Sequence, residues 1–553
     1  MASQEVPRGW RQIALVAILL LGLLFSSLDA SIVSTSLVTI SIDLHNFLDA
    51  PWVVLSYLLA YLGLAIGFAK FSDIYGRRDT LCAAWVLFSG FSIGCGLAQT
   101  MTQLIVCRVF QGMGGSGLYS LAQIALFEVG PVHNPSLMGA LVGLTLAVSY
   151  VLGPVLGGVI STTASWRWIF LINVPFGVVL VVVLYLSWPA KVGPRIHGMD
   201  SLRRIDFLGN VLIIAACTLL VFALQEAGAY SYSWNNPVIV VSLLVSFLGW
   251  VGFAAWEYML ATKQHSTIEP VLPLRLMGRV YSACVICTFC TGFVYITILV
   301  VLPERFQIVN GDSALLSGIH LLPMLGATSL GAFSAGAVSR RRNNTSWTLM
   351  AAHFFQLLGV GLMLMLRDTT TETKAQYGFQ VLLGLGIGLS LGSATIMASI
   401  QSQKADLAVA QGIVAQARVL GGSIGIALCS ILLNARVDKD LSGVMDPDDL
   451  SALHHSPTIA QWLPPALQLK VKSVYAEAFT DDIKLMIGIA AIGVAVSFFT
   501  YEGRPPPMPG TVASKEALGT EQSETELDDL APRHLGAHPY PRPSTFQRAV
   551  SDH

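Results

Sequence analysis

Two charged side chains lie inside long apolar stretches of this sequence. Asp29 lies in an apolar run over residues 12–36, and Arg108 lies in another over residues 102–126. Charges inside membrane-spanning helices are rare, and they mark ion or substrate pathways by default. At a rise of about 1.5 Å per residue, Asp29 and Arg108 reach about 25 Å and about 21 Å above the inner membrane surface. The spacing predicts that they pair or share a polar network.

A carboxylate and an arginine that lie close together can bind and release a proton. A neighbouring arginine favours the charged carboxylate, whereas burial disfavours it, so a change in exposure would shift the balance between the two forms. We therefore interpret Asp29 and Arg108 as a proton-coupling site. The alternative is a buried ion pair with a structural role alone.

Arg418 is a third charge inside an apolar run, about 16 Å from the inner face and so near the membrane midplane. Three hypotheses stay open for it: binding an anionic group of a substrate, tuning a proton-binding acid, or bonding to carbonyls of an adjacent helix. Gln111 follows Arg108 by one helical turn. We assign Arg108, Gln111 and Arg418 to a predicted substrate cavity.

The elements that position these residues are membrane-spanning helices. Of the 553 residues, 54% are hydrophobic and only 12% are charged, whereas soluble domains carry about 25% charged residues. The apolar runs are continuous, unlike the alternating strands of a membrane barrel. Basic residues are concentrated in alternate loops, which predicts that both termini are cytoplasmic. The predicted spans are residues 12–36, 52–71, 80–99, 102–126, 136–161, 168–188, 207–227, 237–257, 279–302, 313–337, 347–366, 377–399, 407–434 and 482–501.

These fourteen spans predict an all-helical polytopic membrane protein arranged as six, two and six helices. Paired halves of this kind are the repeat signature of secondary transporters. The predicted parts are a cytoplasmic tail (1–11), a first bundle (12–188), two linking helices (207–257), a second bundle (279–501) with a long outer loop (435–481), and a disordered cytoplasmic tail (502–553). The last tail is rich in Pro, Ser and Glu, a composition that cannot bury a core.

Several function classes are disfavoured. The sequence has no phosphate-binding loop, hydrolase motif or metal-ligand cluster, so we expect no enzyme activity, no cofactor and no metal. The CxxCxxC spacing of Cys284, Cys287 and Cys290 lies among apolar residues, so we interpret these as small buried side chains. A net charge of −1 does not favour nucleic acid. The expected partners are a small-molecule substrate, protons and the lipid bilayer, with the monomer as the functional unit.

The loop after the second span carries a recognisable pattern. Asp73, Gly76, Arg77 and Arg78 match the G-x-x-x-D-x-x-G-R-R loop between helices 2 and 3 of the major facilitator superfamily, and Ala69 replaces its first glycine. The segment resembles that loop, which implies that these four residues form a conformational switch at the cytoplasmic face. The run 340–342, three arginines, holds the corresponding place in the second half.

Three further segments resemble the fourteen-helix drug:proton antiporters of the same superfamily. The segment around Asp29 resembles the helix 1 motif L-D-x-T-I-V-N-x-x-L-P, and the segment around Arg108 resembles the helix 4 motif. Gly153, Pro154, Gly157 and Gly158 match the antiporter motif of helix 5, which the family associates with export.

The resemblance implies a proton-coupled antiporter that exports drugs, toxins or secondary metabolites by alternating access. The sequence especially resembles fungal efflux pumps, and we predict the plasma membrane as its location. The alternative is a siderophore or basic amino acid porter of the same fold, with the vacuolar membrane as its location.

Overall fold

A computed structural model describes most of the chain. The described residues are 10–129, 135–188, 206–228, 232–262, 268, 270–339, 342–366, 374–403, 406–446, 449–450, 453 and 463–507, without the side chains of 65–66, 69–70, 73–74, 127–129, 135–140, 147 and 408. The predicted tails, apart from their edges, lie outside these residues. So do Arg340, Arg341 and the side chain of Asp73.

Fourteen helices of fifteen residues or more make up the described part, which contains no strand. Twelve helical segments of the described residues are long and apolar enough to cross a membrane; α2 contributes only the shorter apolar segment Ala50–Leu64, and α4 is not among the twelve. The fold is therefore all-helical, and the count of fourteen spans stays a prediction. The helices are α1 Trp10–Ile32, α2 Ala50–Tyr75, α3 Arg77–Leu97, α4 Met101–Val129, α5 Pro135–Thr163, α6 Asn173–Ser187, α7 Phe207–Gly228, α8 Pro237–Thr262, α9 Arg279–Arg305, α10 Leu322–Val338, α11 Thr345–Met363, α12 Ala375–Gln401, α13 Leu407–Leu441 and α14 Pro465–Ser497.

The helices form two bundles that meet along a shared seam. One apolar core is built mainly from α1–α6 and another from α9–α14. Tyr150, Ile296 and Ile424 pack against both cores. Across the seam, α5 packs against α10 and the short helix Ala314–His320, while α2 packs against α13. Cavities between the bundles are therefore bordered by α2, α5 and α13.

The α1 helix ends at Ile32, four residues before the predicted end of the first span. A turn over 33–36 follows, and then a short helix, Leu37–Asp43. Hydroxyl groups explain the break, because Ser and Thr side chains compete for backbone hydrogen bonds. Ser34 donates to the Ser31 carbonyl at 2.7 Å, and Thr35 donates to the Pro154 carbonyl of α5 at 3.0 Å. The break is therefore attached to α5.

Two predicted loops are shorter than expected. The α2 helix runs to Tyr75, so Gly76 alone connects it to α3, with a φ of 95° that favours glycine. The predicted loop 435–481 is helical at both ends, because α13 continues to Leu441 and α14 begins at Pro465. Arg436 on α13 holds these helix ends together through ion pairs with Glu477 and Asp481 of α14.

Candidate functional site

Asp29 and Arg108 form an ion pair in the centre of the first bundle. The Arg108 guanidinium donates from Nη1 to Asp29 Oδ2, and both side chains have no solvent exposure. Nε of the same guanidinium donates to the Val53 carbonyl of α2 at 3.0 Å. The described conformation thus contains the pair that the predicted depths of Asp29 and Arg108 indicate. Groups from α1, α2 and α4 hold it in place.

Amide and hydroxyl groups complete the shell around Asp29. Gln111 Nε2 donates to Asp29 Oδ1 at 2.9 Å, and Asn173 Nδ2 at the start of α6 donates to the same oxygen at 3.0 Å. Ser92 Oγ on α3 accepts from Gln111 at 2.8 Å. Side chains of Arg108, Gln111 and Asn173 thus all donate to the Asp29 carboxylate. We call Asp29, Ser92, Arg108, Gln111 and Asn173 the Asp29 cluster.

Tyr57 separates the Asp29 cluster from the space between the bundles. Its ring lies 4.3 Å from the Arg108 guanidinium carbon, a cation–π distance. Its hydroxyl donates to the Ser26 carbonyl at 3.0 Å. Arg108 Nη2 has no hydrogen-bond partner among the described residues. A movement of Tyr57 would therefore expose an arginine with an unused donor.

The space on the other side of Tyr57 is a cavity between the bundles, which we call the central cavity. It is lined by groups from α1, α2, α4, α5, α9 and α13. Five tyrosines dominate its polar surface: Tyr57, Tyr61, Tyr119, Tyr150 and Tyr295. Tyr150 and Tyr295 meet edge to face across the seam, with ring centroids 5.3 Å apart. A cavity with aromatic walls and few convergent polar groups suits an amphipathic organic molecule.

Arg418 is the one charged side chain among the described residues that line the central cavity. It is 7% exposed. Nη1 donates to the Tyr119 hydroxyl at 3.4 Å, a long hydrogen bond, and Nε has no partner among the described residues. No carboxylate pairs with it among the ion pairs that the described residues form. A buried guanidinium in this state retains the ability to bind an anion.

The structure brings only one of the three predicted cavity residues to the cavity. Arg418 lines it, whereas Arg108 and Gln111 lie behind Tyr57 with no solvent exposure. The reason is that the Asp29 carboxylate takes up the polar groups of Arg108 and Gln111 and holds them inside the first bundle. In the described conformation neither Arg108 nor Gln111 lines the central cavity.

The predicted antiporter motif lies where α5 meets the break in α1. A Cβ atom on Gly157 would be 2.2 Å from the Ile32 carbonyl oxygen, and one on Gly153 would be 1.9 Å from Ser31 Oγ. Gly158 faces the short helix at Ala314, on the second bundle, where a Cβ would be 2.6 Å from the Ala314 carbonyl oxygen. The motif therefore fixes both the backbone of α1 and the seam between the bundles.

The predicted switch residues lie at the α2–α3 turn. Arg77 donates to the Ser72 hydroxyl, and Arg78 pairs with Asp79 at 2.7 Å while its guanidinium lies 4.7 Å from the Tyr185 ring. The Asp73 side chain lies outside the described residues. Its assignment to the switch stays a prediction.

Sequence reasoning missed Ser92, Asn173 and Tyr57. Each is a polar residue within an apolar helix, and such a residue signals a partner inside the bundle. Asn173 stands out most, because it begins α6 among Leu, Ile, Val and Phe residues. The spacing along one helix could not reveal that Asn173 and Ser92 join the hydrogen-bond network around Asp29, or that Tyr57 packs against Arg108. Outside the long helices, Trp166 and Arg167 donate to Asp43 and hold the pKa of that carboxyl below its usual value.

Comparisons with known proteins agree with the transport-like arrangement. A family model described as Major Facilitator Superfamily matches residues 19–426. The chain is 36% identical to "MFS-type transporter FPY5" of Fusarium mangiferae, over 90% of this chain and 85% of that protein. It is 30% identical to "MFS-type efflux pump LUC4" of a Fusarium species, over 95% of this chain and 92% of that protein.

Solved structures show the same fold at low identity. A bacterial homolog of the human lysosomal transporter Spinster, in an inward-facing and occupied conformation, superposes with a TM-score of 0.62 and 14% identity, covering 89% of this chain and 97% of that chain. At this identity the similarity concerns the fold alone.

Proposed function

This chain belongs to the Major Facilitator Superfamily and is an integral membrane transporter, and from that premise we propose that it is a proton-coupled antiporter. In this proposal it exports small organic molecules, such as drugs, toxins or secondary metabolites, across the plasma membrane by alternating access. Relatives named as efflux pumps support the direction of transport. The protein is proposed to work as a monomer with fourteen spans and both termini in the cytoplasm.

One observation carries the proposal: the arginine that pairs with a buried carboxylate packs against a tyrosine that also lines an aromatic, arginine-bearing cavity. Asp29 pairs with Arg108, Arg108 lies against the Tyr57 ring, and Tyr57 lines the central cavity. Cargo that packs against Tyr57 would change the surroundings of Arg108. Antiport requires that cargo binding favour release of the Asp29 proton, which follows if bound cargo holds Arg108 against the carboxylate and so favours its charged form.

The proton and the cargo would occupy neighbouring sites, and binding of one would disfavour binding of the other. With Asp29 charged, Arg108 is neutralised and Tyr57 is held in the cavity wall. With Asp29 protonated, Arg108 is released from its counterion. Alternating access needs a state-dependent element of this kind, because a ligand shifts a conformational equilibrium only through different affinities for the two states.

Everted membrane vesicles test the proposal directly. We expect accumulation of an amphipathic aromatic probe when the vesicle interior is acidic, since the pump would exchange probe for protons. Collapse of the pH gradient with a protonophore should reduce accumulation to the level of vesicles without the protein. Accumulation that persists after the collapse would contradict proton coupling, and probe release in place of accumulation would favour the uptake porter.

Arg418 is proposed to bind an acidic group of the cargo. We expect Arg418→Gln to raise the KM for an aromatic carboxylic acid about tenfold, because a hydrogen bond to a charged group contributes about 1.5–3 kcal/mol. The methyl ester of the same acid is the matched control, and its transport should change little. Equal losses for acid and ester would assign Arg418 a structural role in the seam.

The siderophore or basic amino acid porter remains the second candidate. A basic cargo calls for acidic groups in its binding cavity, and the described lining of the central cavity contains none. Competition by lysine or arginine for the aromatic probe would support this alternative.

A further inference from the structure

A second cavity lies beside the central cavity, and the two share Val300 in their linings. It is formed where the C-terminal end of α9 meets α13, α14 and the end of α7. Its polar character differs from that of the central cavity, because two acidic side chains line it: Glu304 and Asp482. We call it the acidic cavity.

Asp482 is the unusual group in the acidic cavity. The residue is 3% exposed, and its Oδ1 has no hydrogen-bond partner among the described residues. The Cys429 thiol contacts the same carboxyl group and is only a weak donor. Buried polar atoms are nearly always hydrogen-bonded, so this carboxyl group lacks a partner that it should have.

Gln225 also lines the acidic cavity, and it too is buried without hydrogen-bond partners among the described residues. It is 1% exposed, and neither its Oε1 nor its Nε2 has a hydrogen-bond partner among the described residues. In this lining, Gln225 thus offers an unused acceptor and an unused donor, and Asp482 offers an unused carboxylate oxygen. Two independent unpartnered groups that line one cavity indicate a missing ligand.

The charges around Asp482 leave an excess of negative charge. The titratable or charged residues that line the acidic cavity are Glu304, Arg305, Cys429, Tyr475 and Asp482. Arg305 is the one base of this lining: Nη2 donates to the Leu366 carbonyl at 3.0 Å, its guanidinium lies 5.1 Å from the Phe479 ring, and Nε has no hydrogen-bond partner among the described residues. The two acids therefore share one base.

A buried carboxylate without sufficient partners is neutralised most readily by a proton. A second acid in the same cavity acts in the same direction, because two like charges disfavour each other. The neutral carboxyl gains an O–H donor, and the unused Oε1 of Gln225 provides an acceptor in the same cavity. A proton taken up at Asp482 thus removes a buried charge that lacks sufficient partners.

We propose that Asp482, supported by Glu304 and Gln225, is a second proton-binding site, separate from the Asp29 cluster. Its use in transport rests on the proposed proton coupling, whereas its occupancy by a proton does not depend on any cargo. Because the acidic cavity adjoins the central cavity at Val300, a proton held there lies beside the route proposed for cargo.

Infrared difference spectroscopy of the purified full chain in liposomes tests the proposal without cargo. As the buffer is made more acidic, we expect the C=O stretch of a protonated carboxyl group that is absent in Asp482→Asn. Glu304→Gln should keep this band but shift its midpoint to lower pH, since removal of a neighbouring negative charge favours the ionised form. Glu304 is only half-buried, so this variant serves if Asp482→Asn does not fold.

The matched control is Asp481→Asn, because Asp481 is the adjacent acid and pairs with Arg436 and Lys484 outside the acidic cavity. The band should persist in that variant and in Asp29→Asn. Difference spectra that lose no carboxyl band in Asp482→Asn, or an unchanged midpoint in Glu304→Gln, would overturn the proposal. A midpoint that moves when sodium replaces choline would overturn it in favour of a sodium site. Export that proves independent of protons while the band remains would refute the proposed antiport and leave this site intact.

Discussion

Replacement of Asp29 by asparagine is expected to abolish export driven by a pH gradient while the protein still inserts in the membrane. The amide cannot bind and release a proton, although it preserves the shape of the carboxylate and its contacts with Gln111 and Asn173. We expect probe accumulation in everted vesicles to fall to that of vesicles without the protein. Binding of the probe to purified protein should remain.

The stability of the variant must be measured beside its transport. Asp29→Asn leaves Arg108 buried without a counterion, and removal of one partner of a buried pair costs about 3–5 kcal/mol. The double variant Asp29→Asn with Arg108→Gln removes both charges and should regain part of this stability without regaining transport. Asp43→Asn is the matched control, because that carboxylate lies outside the long helices and is half-exposed. Normal pH-driven accumulation by Asp29→Asn would exclude Asp29 from coupling.

A bulky side chain at Gly157 is expected to reduce proton-coupled export as strongly as Asp29→Asn does, because it disturbs helix packing. Gly157 faces the Ile32 carbonyl and the Thr35 hydroxyl, where a Cβ atom would lie at 2.2 Å and 2.7 Å. Leucine there must force α5 away from the break in α1, and extra methylenes in a packed interior cost about 1–3 kcal/mol. We expect Gly157→Leu to leak protons without cargo or to lose export.

Acidification of vesicles in the absence of probe measures the leak, and drug resistance of cells measures export. Gly143→Leu is the matched control on the same helix, because the nearest atom to a Cβ at that position is Ala332 Cβ at 3.9 Å. Normal export by Gly157→Leu without added leak would remove the main sequence support for an exporter. The uptake porter would then be the better interpretation.

The central ion pair could be predicted because it depends on one geometric quantity. A helix rises by a constant amount per residue, so the depth of Asp29 and of Arg108 follows from the ends of their apolar runs. The sequence alone could not give the groups around them. Ser92, Asn173 and Tyr57 come from three other helices, and their approach to Asp29 depends on how those helices rotate and pack.

Asp482 was missed for a different physical reason. Charged and polar residues at 466–481 lower the hydropathy, so the apolar pattern predicts a span that begins at 482 and places Asp482 at a solvated end. The helix instead begins at Pro465, and Asp482 lies well inside it. Ion pairs of Arg436 and an apolar cluster around Val471 and Val474 stabilise this extra length. Contacts with another helix decide this boundary, and hydropathy does not report them.

Tyr57 contacts Arg108 and also lines the central cavity. This position predicts that proton binding at Asp29 and cargo binding are coupled, and the coupling can be measured at equilibrium. Linkage requires that, if cargo weakens or strengthens proton binding at Asp29 by some factor, protons alter cargo affinity by the same factor. A tenfold effect corresponds to about 1.4 kcal/mol of coupling free energy. Cargo affinity in detergent, with no membrane and no gradient, should therefore change with pH. Tyr57→Phe keeps the ring against Arg108 and should preserve most of that coupling, whereas Tyr57→Ala should reduce it towards zero.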